Sequence, residues 1–178
     1  MATYFGQQDI SGADDAGNVG ISKWMSAVCP GSGNQIIKEL SGWITSAGGG
    51  NFRLAIYSAD RSTKIAEGAE EIGAAGGWAW QGHLTQVSIT PNPATLVGGT
   101  TYVIGESFDK YDPHTKCENK SSTYGYAAAD YTGGWPASLG DGTEEGSWLW
   151  AMRCGVDPEA GGGLSIPVAM DIYRQRRN

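Results

Sequence analysis

Along NFRLAIYS (51–58) apolar and polar side chains alternate: Phe52, Leu54 and Ile56 fall on one side, Arg53, Ala55 and Tyr57 on the other. A strand imposes this period of two, because successive side chains leave a pleated backbone on opposite faces. The same reading predicts a strand at QIIKELSGWITS (35–46), joined to the first by a Gly48–Gly50 turn. Further strands follow at QVSI (86–89), TYVIGES (101–107, after a Gly98-Gly99 turn), STYGYAAA (122–129) and SWLWAMRCGV (147–156). Weaker candidates are the N-terminus, WMSAVC (24–29), KIAEGAEE (64–71) and WAWQGHL (78–84). KIAEGAEEIGAA has some helical character, but Gly68 and Gly73 interrupt it, which favours an edge strand or loop. Gly, Pro, Asn and Asp punctuate the chain roughly every ten residues, the spacing of an antiparallel sandwich or barrel. Segments 108–121 and 130–147 read as long loops, and DPEAGGG (157–163) as a linker. The expected organisation is a β-domain over 1–156, a Gly-rich linker over 157–163 and an extended C-terminal arm over 164–178.

Composition agrees with an all-β chain: 28 glycines, seven tryptophans and eight tyrosines stand against few runs of Leu, Ala, Glu and Lys. A chain of 178 residues suits a single domain, and buries roughly 70% of its unfolded surface without a disulfide or metal staple. Charge adds an asymmetry. The net charge is −7, but through Asp171 there are 9 Lys/Arg against 19 Asp/Glu, a balance of −10, and the last seven residues return +3. An acidic body repels phosphate backbones, so no nucleic-acid partner is expected. No stretch approaches the ~20 apolar residues of a membrane span, and MATYFGQQDI lacks the basic start and apolar core of a signal peptide. Synthesis in the cytoplasm is therefore expected. The three cysteines, Cys29, Cys117 and Cys154, are then reduced by default, with a Cys117–Cys154 bridge left open should the protein work outside the cell.

The stretch from QIIKELSGWI through NFRLAIYSADRSTKIAEG to VSITPNPATLVGGTTYVIGES resembles a jelly-roll or β-sandwich module of phage virion proteins and of some bacterial surface and carbohydrate-binding proteins. The resemblance rests on the "rlaIYs" strand and on Leu96-Val97-Gly98-Gly99-Thr100-Thr101-Tyr102-Val103-Ile104, similar to an L-x-x-G-T-x-Y-x-[VI] segment. It covers roughly residues 35–107, with SWLWAMRCGV as the closing strand. IPVAMDIYRQRR is similar to the ends of phage tail and virion proteins. The resemblance implies an antiparallel, jelly-roll-like sandwich and a place in a virion, as a capsid decoration, tail or fibre subunit. It says less about function than about fold.

Candidate chemistry is sparse. Trp78 and Trp80, and Trp148 and Trp150, sit at i, i+2 on strands, the spacing that fills a sandwich core, although paired aromatics also stack on sugars. Trp135, in YTGGWPAS, lies in a loop near Tyr131. With Tyr124 these form the candidate glycan contact, and packing of Trp135 beneath its own loop is the equal alternative. The acidic loops DKYDPHTKCEN and DGTEEG offer Asp109, Asp112, Asp141 and Glu144 as oxygen ligands for Ca²⁺, yet neither has EF-hand spacing and solvated acidic turns are common. His114-x-x-Cys117 is half a zinc motif without a paired second half. His83 and His114 are the only imidazole bases, no G-x-S-x-G elbow or Walker loop occurs, and no catalytic constellation stands out. No enzymatic activity and no obligatory cofactor are expected.

The arm carries Ile166, Val168, Met170 and Ile172 at alternate positions, followed by Tyr173 and a basic tip of Arg174, Arg176 and Arg177. Pro167 falls off the stripe, where an edge strand tolerates it. Alone in water such a segment cannot repay its ordering entropy; added to a sheet edge it can. It would dock on a neighbouring copy, fold back on its own domain, or stay disordered. The expectation is a structural subunit binding copies of itself or other virion proteins. The alternative is a carbohydrate-binding module touching host glycans.

Overall fold

The computed structural model describes residues 2–6, 13–16, 22–46, 51–68, 71–72, 79–84, 89–90, 93–108, 114–119, 124–127, 134–140, 143–145, 148–150 and 152–159. They contain strands and no helix, as expected for an all-β chain. In chain order the strands are β1 (Thr3–Gly6), β2 (Ala13–Ala16), β3 (Ser22–Val28), β4 (Asn34–Ser46), β5 (Asn51–Ser58), β6 (Lys64–Gly68), β7 (Glu71–Ile72) and β8 (Ala79–Leu84). They continue with β9 (Ile89–Thr90), β10 (Thr95–Val97), β11 (Thr101–Phe108), β12 (His114–Asn119), β13 (Tyr124–Ala127), β14 (Thr143–Glu145), β15 (Trp148–Trp150) and β16 (Met152–Pro158).

Two antiparallel sheets form a β-sandwich. The first runs β1-β16-β4-β12-β15, with β10 and β8 also on β4 and β2 on β12. The second runs β14-β13-β3-β11-β5-β6-β9, with β7 on β5. The long β4 organises the first sheet: Ile36 pairs with both Thr95 of β10 and Asp157 of β16, and Leu40 with both Leu84 of β8 and Cys154 of β16. Strands β10 and β8 therefore share one edge of β4, and β16 takes the other.

Between the sheets lies the main core, with Met25, Leu40, Leu54, Ile56, Ile104, Phe108, Met152, Cys154 and Val156 among its members. Residues Ala55, Tyr57 and Val103 point the other way and are also buried, in a second cluster with Trp24, Trp135 and Leu139. Antiparallel sheets usually leave their outer face to water. Here the outer face of the second sheet is roofed by residues 134–140, which is why LAIY and YVI are apolar on both faces.

Polar residues also enter the interior. Lys23 and Glu106 stand opposite each other across the β3–β11 ladder and are both buried. They share the face of Met25 and Ile104, so both project between the sheets. A Cβ placed on Gly42 of the facing sheet would lie 3.8 Å from Glu106 Oε2.

Four sequence expectations change. Strand β12 occupies part of the 108–121 loop, and β14 part of the 130–147 loop. The closing strand is described as β15 and β16 on either side of residue 151, and β16 runs to Pro158, two residues into the expected linker. The three-residue β10 lay unrecognised before the Gly98-Gly99 turn.

Candidate functional site

Among the described residues the most densely connected non-strand segment is Gly134–Gly140, which carries Trp135. Its backbone is tied to the β5–β6 hairpin. Lys64 N–H donates to the Ala137 carbonyl (2.8 Å) and Leu139 N–H to the Arg61 carbonyl (3.0 Å). The Tyr57 hydroxyl donates to the Pro136 carbonyl at 2.6 Å. Lys64 Nζ donates to the Trp135 carbonyl at 2.6 Å and pairs with Glu67 Oε2 at 3.1 Å, while the same oxygen accepts the Trp135 N–H at 3.0 Å. A lysine and a glutamate thus hold both backbone groups of one tryptophan.

This places the Trp135 ring over Gly105, where a Cβ would meet Trp135 Cη2 at 2.7 Å. The ring centroid lies 5.9 Å from that of Tyr57, tilted 60°, a favourable aromatic geometry. Arg61, at φ 62° in the hairpin turn, sets its guanidinium 4.3 Å from the Trp24 ring centroid, a cation–π contact. Asp60, beside it, accepts from the Ser58 hydroxyl, and that hydrogen bond together with those from Ser62 holds its carboxyl below the usual range.

Trp135 is 3% exposed. The reading of it as a contact aromatic for glycans is therefore corrected: the ring packs under its own loop, because the Lys64–Glu67 pair and Gly105 together make a seat for it. Tyr131 lies outside the described residues. Tyr124 sits on β13 opposite Met25 and Glu145, with only its backbone described. Of the calcium candidates, Asp109, Asp112 and Asp141 lie outside the described residues, and Glu144 is placed on β14 opposite Gly125. No group of three His, Cys, Asp or Glu side chains lies together among the described residues. The arm, from Ile166 to Arg177, lies outside them too.

The Cys117–Cys154 bridge is also corrected. Cys154 is a buried free thiol, as is Cys29. Cys117 stands on β12 opposite Trp150, with only its backbone described. Burial, then the nearby Cys29 and Glu39, pushes the Cys154 thiol well above its usual range, and burial raises Cys29.

The remaining structured feature is the rim where the chain leaves β16. Cys29 N–H donates to the Thr100 carbonyl (2.9 Å), Gly99 N–H to the Cys29 carbonyl (2.8 Å) and Gly98 N–H to the Gly33 carbonyl (2.8 Å). The β3–β4 and β10–β11 turns are thereby laced together, and a Cβ on Gly98 would fall 2.6 Å from Gly31 C and Ser32 N. Glu159 is clipped to the same rim: its N–H donates to the Asn34 carbonyl at 2.9 Å, and Asn34 Nδ2 donates to Glu159 Oε2 at 2.8 Å. Val28 and Val97 stand out of this rim, 57% and 49% exposed.

Sequence reasoning missed Lys64, Glu67 and Arg61, which lie some 70 residues from the segment they hold, and no local pattern links them. The two-sided apolar run LAIY was the available signal for a covered outer face. Compared with known proteins, the chain matches no family model and no curated protein.

Proposed function

We propose that this protein is a non-enzymatic structural subunit, joined to its neighbours in a virion-type assembly by its C-terminal arm. The observation that carries the reading is the fixed departure point at Glu159. Beyond that clip lie nineteen residues that combine glycines, an alternating apolar stripe and a basic tip. Among the described residues, the members of the two cores all lie between Phe5 and Val156. The acidic body and the +3 tip are complementary, and the virion assignment draws on the resemblance of residues 35–107 and of the chain end.

Light scattering of the full-length protein against a chain ending at Gly161, at low and high salt, tests the reading. A discrete oligomer that becomes a monomer on truncation is the expected result, with salt weakening the full-length association by screening the basic tip. Two identical monomers would overturn it.

A further inference from the structure

We propose that the outer face of the first sheet, where Trp43 and Trp80 stand opposite each other beside a Tyr4–Arg153–Glu39 cluster, binds a neutral saccharide. The inference is independent of the arm and adds a ligand to the structural role proposed above.

Strand alternation assigns the positions to this face. On β16, Met152, Cys154 and Val156 belong to the main core, so Arg153 and Gly155 fall on the opposite side. On β4, a Cβ at Gly42 would meet Glu106 and Leu54 of the facing sheet, so positions 41 and 43 lie on the outer face. Trp43 pairs directly with Trp80 of β8, and directly opposed residues share a face. Their Cα atoms are about 5 Å apart by the geometry of an antiparallel pair.

The polar cluster is built on the same ladder. Tyr4 pairs with Gly155, and Gly155 with Glu39. A Cβ on Gly155 would fall 2.8 Å from Tyr4 Cε1 and 2.9 Å from Glu39 Cγ, so only glycine lets both side chains close over the β16 backbone. The Arg153 guanidinium carbon then lies 4.0 Å from the Tyr4 ring centroid, and Nη2 lies 3.2 Å from Glu39 Oε1. The buried Ser41 hydroxyl donates to the same oxygen at 2.8 Å. Arg153 pairs with Ser41, so its diagonal neighbours on β4 are Glu39 and Trp43, each roughly 7–8 Å away and within reach of long side chains. The ion pair occupies one diagonal; Trp43 holds the other.

This composition differs from the covered face of the second sheet. There Trp24, Tyr57 and Trp135 pack among apolar residues and are nearly inaccessible. Here the neighbours of the tryptophan pair carry charge and reach water, with the Arg153 and Glu39 side chains 21% and 23% exposed. A sugar ring has an apolar C–H face that stacks on indole and a hydroxyl edge that a carboxylate and a guanidinium hydrogen-bond. The choice of a neutral sugar follows from charge. Glu39 already balances Arg153, and a chain of net charge −7 repels carboxylated or sulfated glycans.

Native electrophoresis of the full-length protein through gels containing dextran, galactomannan, hydroxyethylcellulose or polygalacturonate tests this. Retardation by at least one of the three neutral polymers, and none by polygalacturonate, is expected. Trp43→Ala and Trp80→Ala should each weaken the retention on the order of tenfold or more. Arg153→Gln and Glu39→Gln, at partly exposed positions, should weaken it as well and decide the matter if a tryptophan variant alters the circular dichroism. Ser62→Ala, in the β5–β6 turn of the second sheet, should leave it unchanged. Passage through all three neutral gels without delay would overturn the proposal, as would retention by polygalacturonate alone. Retention that survives Trp80→Ala and Arg153→Gln in folded protein would overturn this face as the site.

Discussion

Gly105 and Trp135 offer a sharp test of how the outer face is built. Replacing a strand glycine with alanine ordinarily stabilises by roughly 0.5–1 kcal/mol, because glycine loses more backbone freedom on folding. At Gly105 the new methyl would meet Trp135 Cη2 at 2.7 Å and Cζ3 at 3.1 Å. The ring cannot retreat freely, since the backbone of Trp135 is held by Lys64 and Glu67 at 2.6 and 3.0 Å. Overpacking of this kind costs about 1–3 kcal/mol, so the net effect of Gly105→Ala is a loss of roughly 1–2 kcal/mol. Trp135→Ala removes a buried indole and should cost about 3–5 kcal/mol. In that background the obstacle to the methyl is gone, leaving the Lys23 carbonyl at 3.4 Å as the nearest remaining neighbour. Gly105→Ala should then be neutral or slightly stabilising. The sign change is a coupling of about 1–3 kcal/mol, read as shifts of the urea midpoint at constant slope across the four proteins. An equal penalty for Gly105→Ala in both backgrounds would refute the packing of the ring on Gly105. A loss below about 1 kcal/mol for Trp135→Ala would refute its role as a core residue.

Other expectations follow from the same contacts. Lys64→Met removes the donor to the Trp135 carbonyl and the ion pair with Glu67, and should cost about 1–3 kcal/mol in urea unfolding; a change within a few tenths would place the roof's stability elsewhere. Lys23→Met or Glu106→Leu alone leaves one charge in the interior and should cost about 3–5 kcal/mol, whereas the double variant recovers most of it; additive losses would show that the two do not act on each other. Cys29 and Cys154 should resist thiol reagents in the native protein and react in denaturant. Because their folded-state pKa is raised, the stability they contribute is full below about pH 8.5 and declines as pH rises above it; rapid native labelling at pH 8 would contradict their burial.

Much of the sandwich was legible in the chain. The alternation of NFRLAIYS, the glycine turn before TYVIGES and the weak N-terminal run all mark strands that form, and the absence of long helix-favouring runs matches the absence of helix among the described residues. Short or polar strands were not legible. HTKCEN and TEE carry little apolar signal, and they become strands because β12 finds β4, β15 and β2 as partners, and β14 finds β13. Pairing partners far along the chain outweigh local propensity in a sheet.

The candidate site divides in the same way. Sequence alone determined that the chain makes strands, that its body is acidic and that residues 164–178 carry an alternating apolar stripe followed by three arginines, since these are properties of composition and spacing. It left Trp135 open between contact and core. Tertiary structure decided that question through Gly105, Lys64 and Glu67, and it buried Cys154 as a free thiol. It also set Glu159 against Asn34, on the rim where the β3–β4 and β10–β11 turns meet. Spacing along a chain reports which face a side chain takes on its own strand; which distant strand or loop covers that face is settled only when the sheets close on each other.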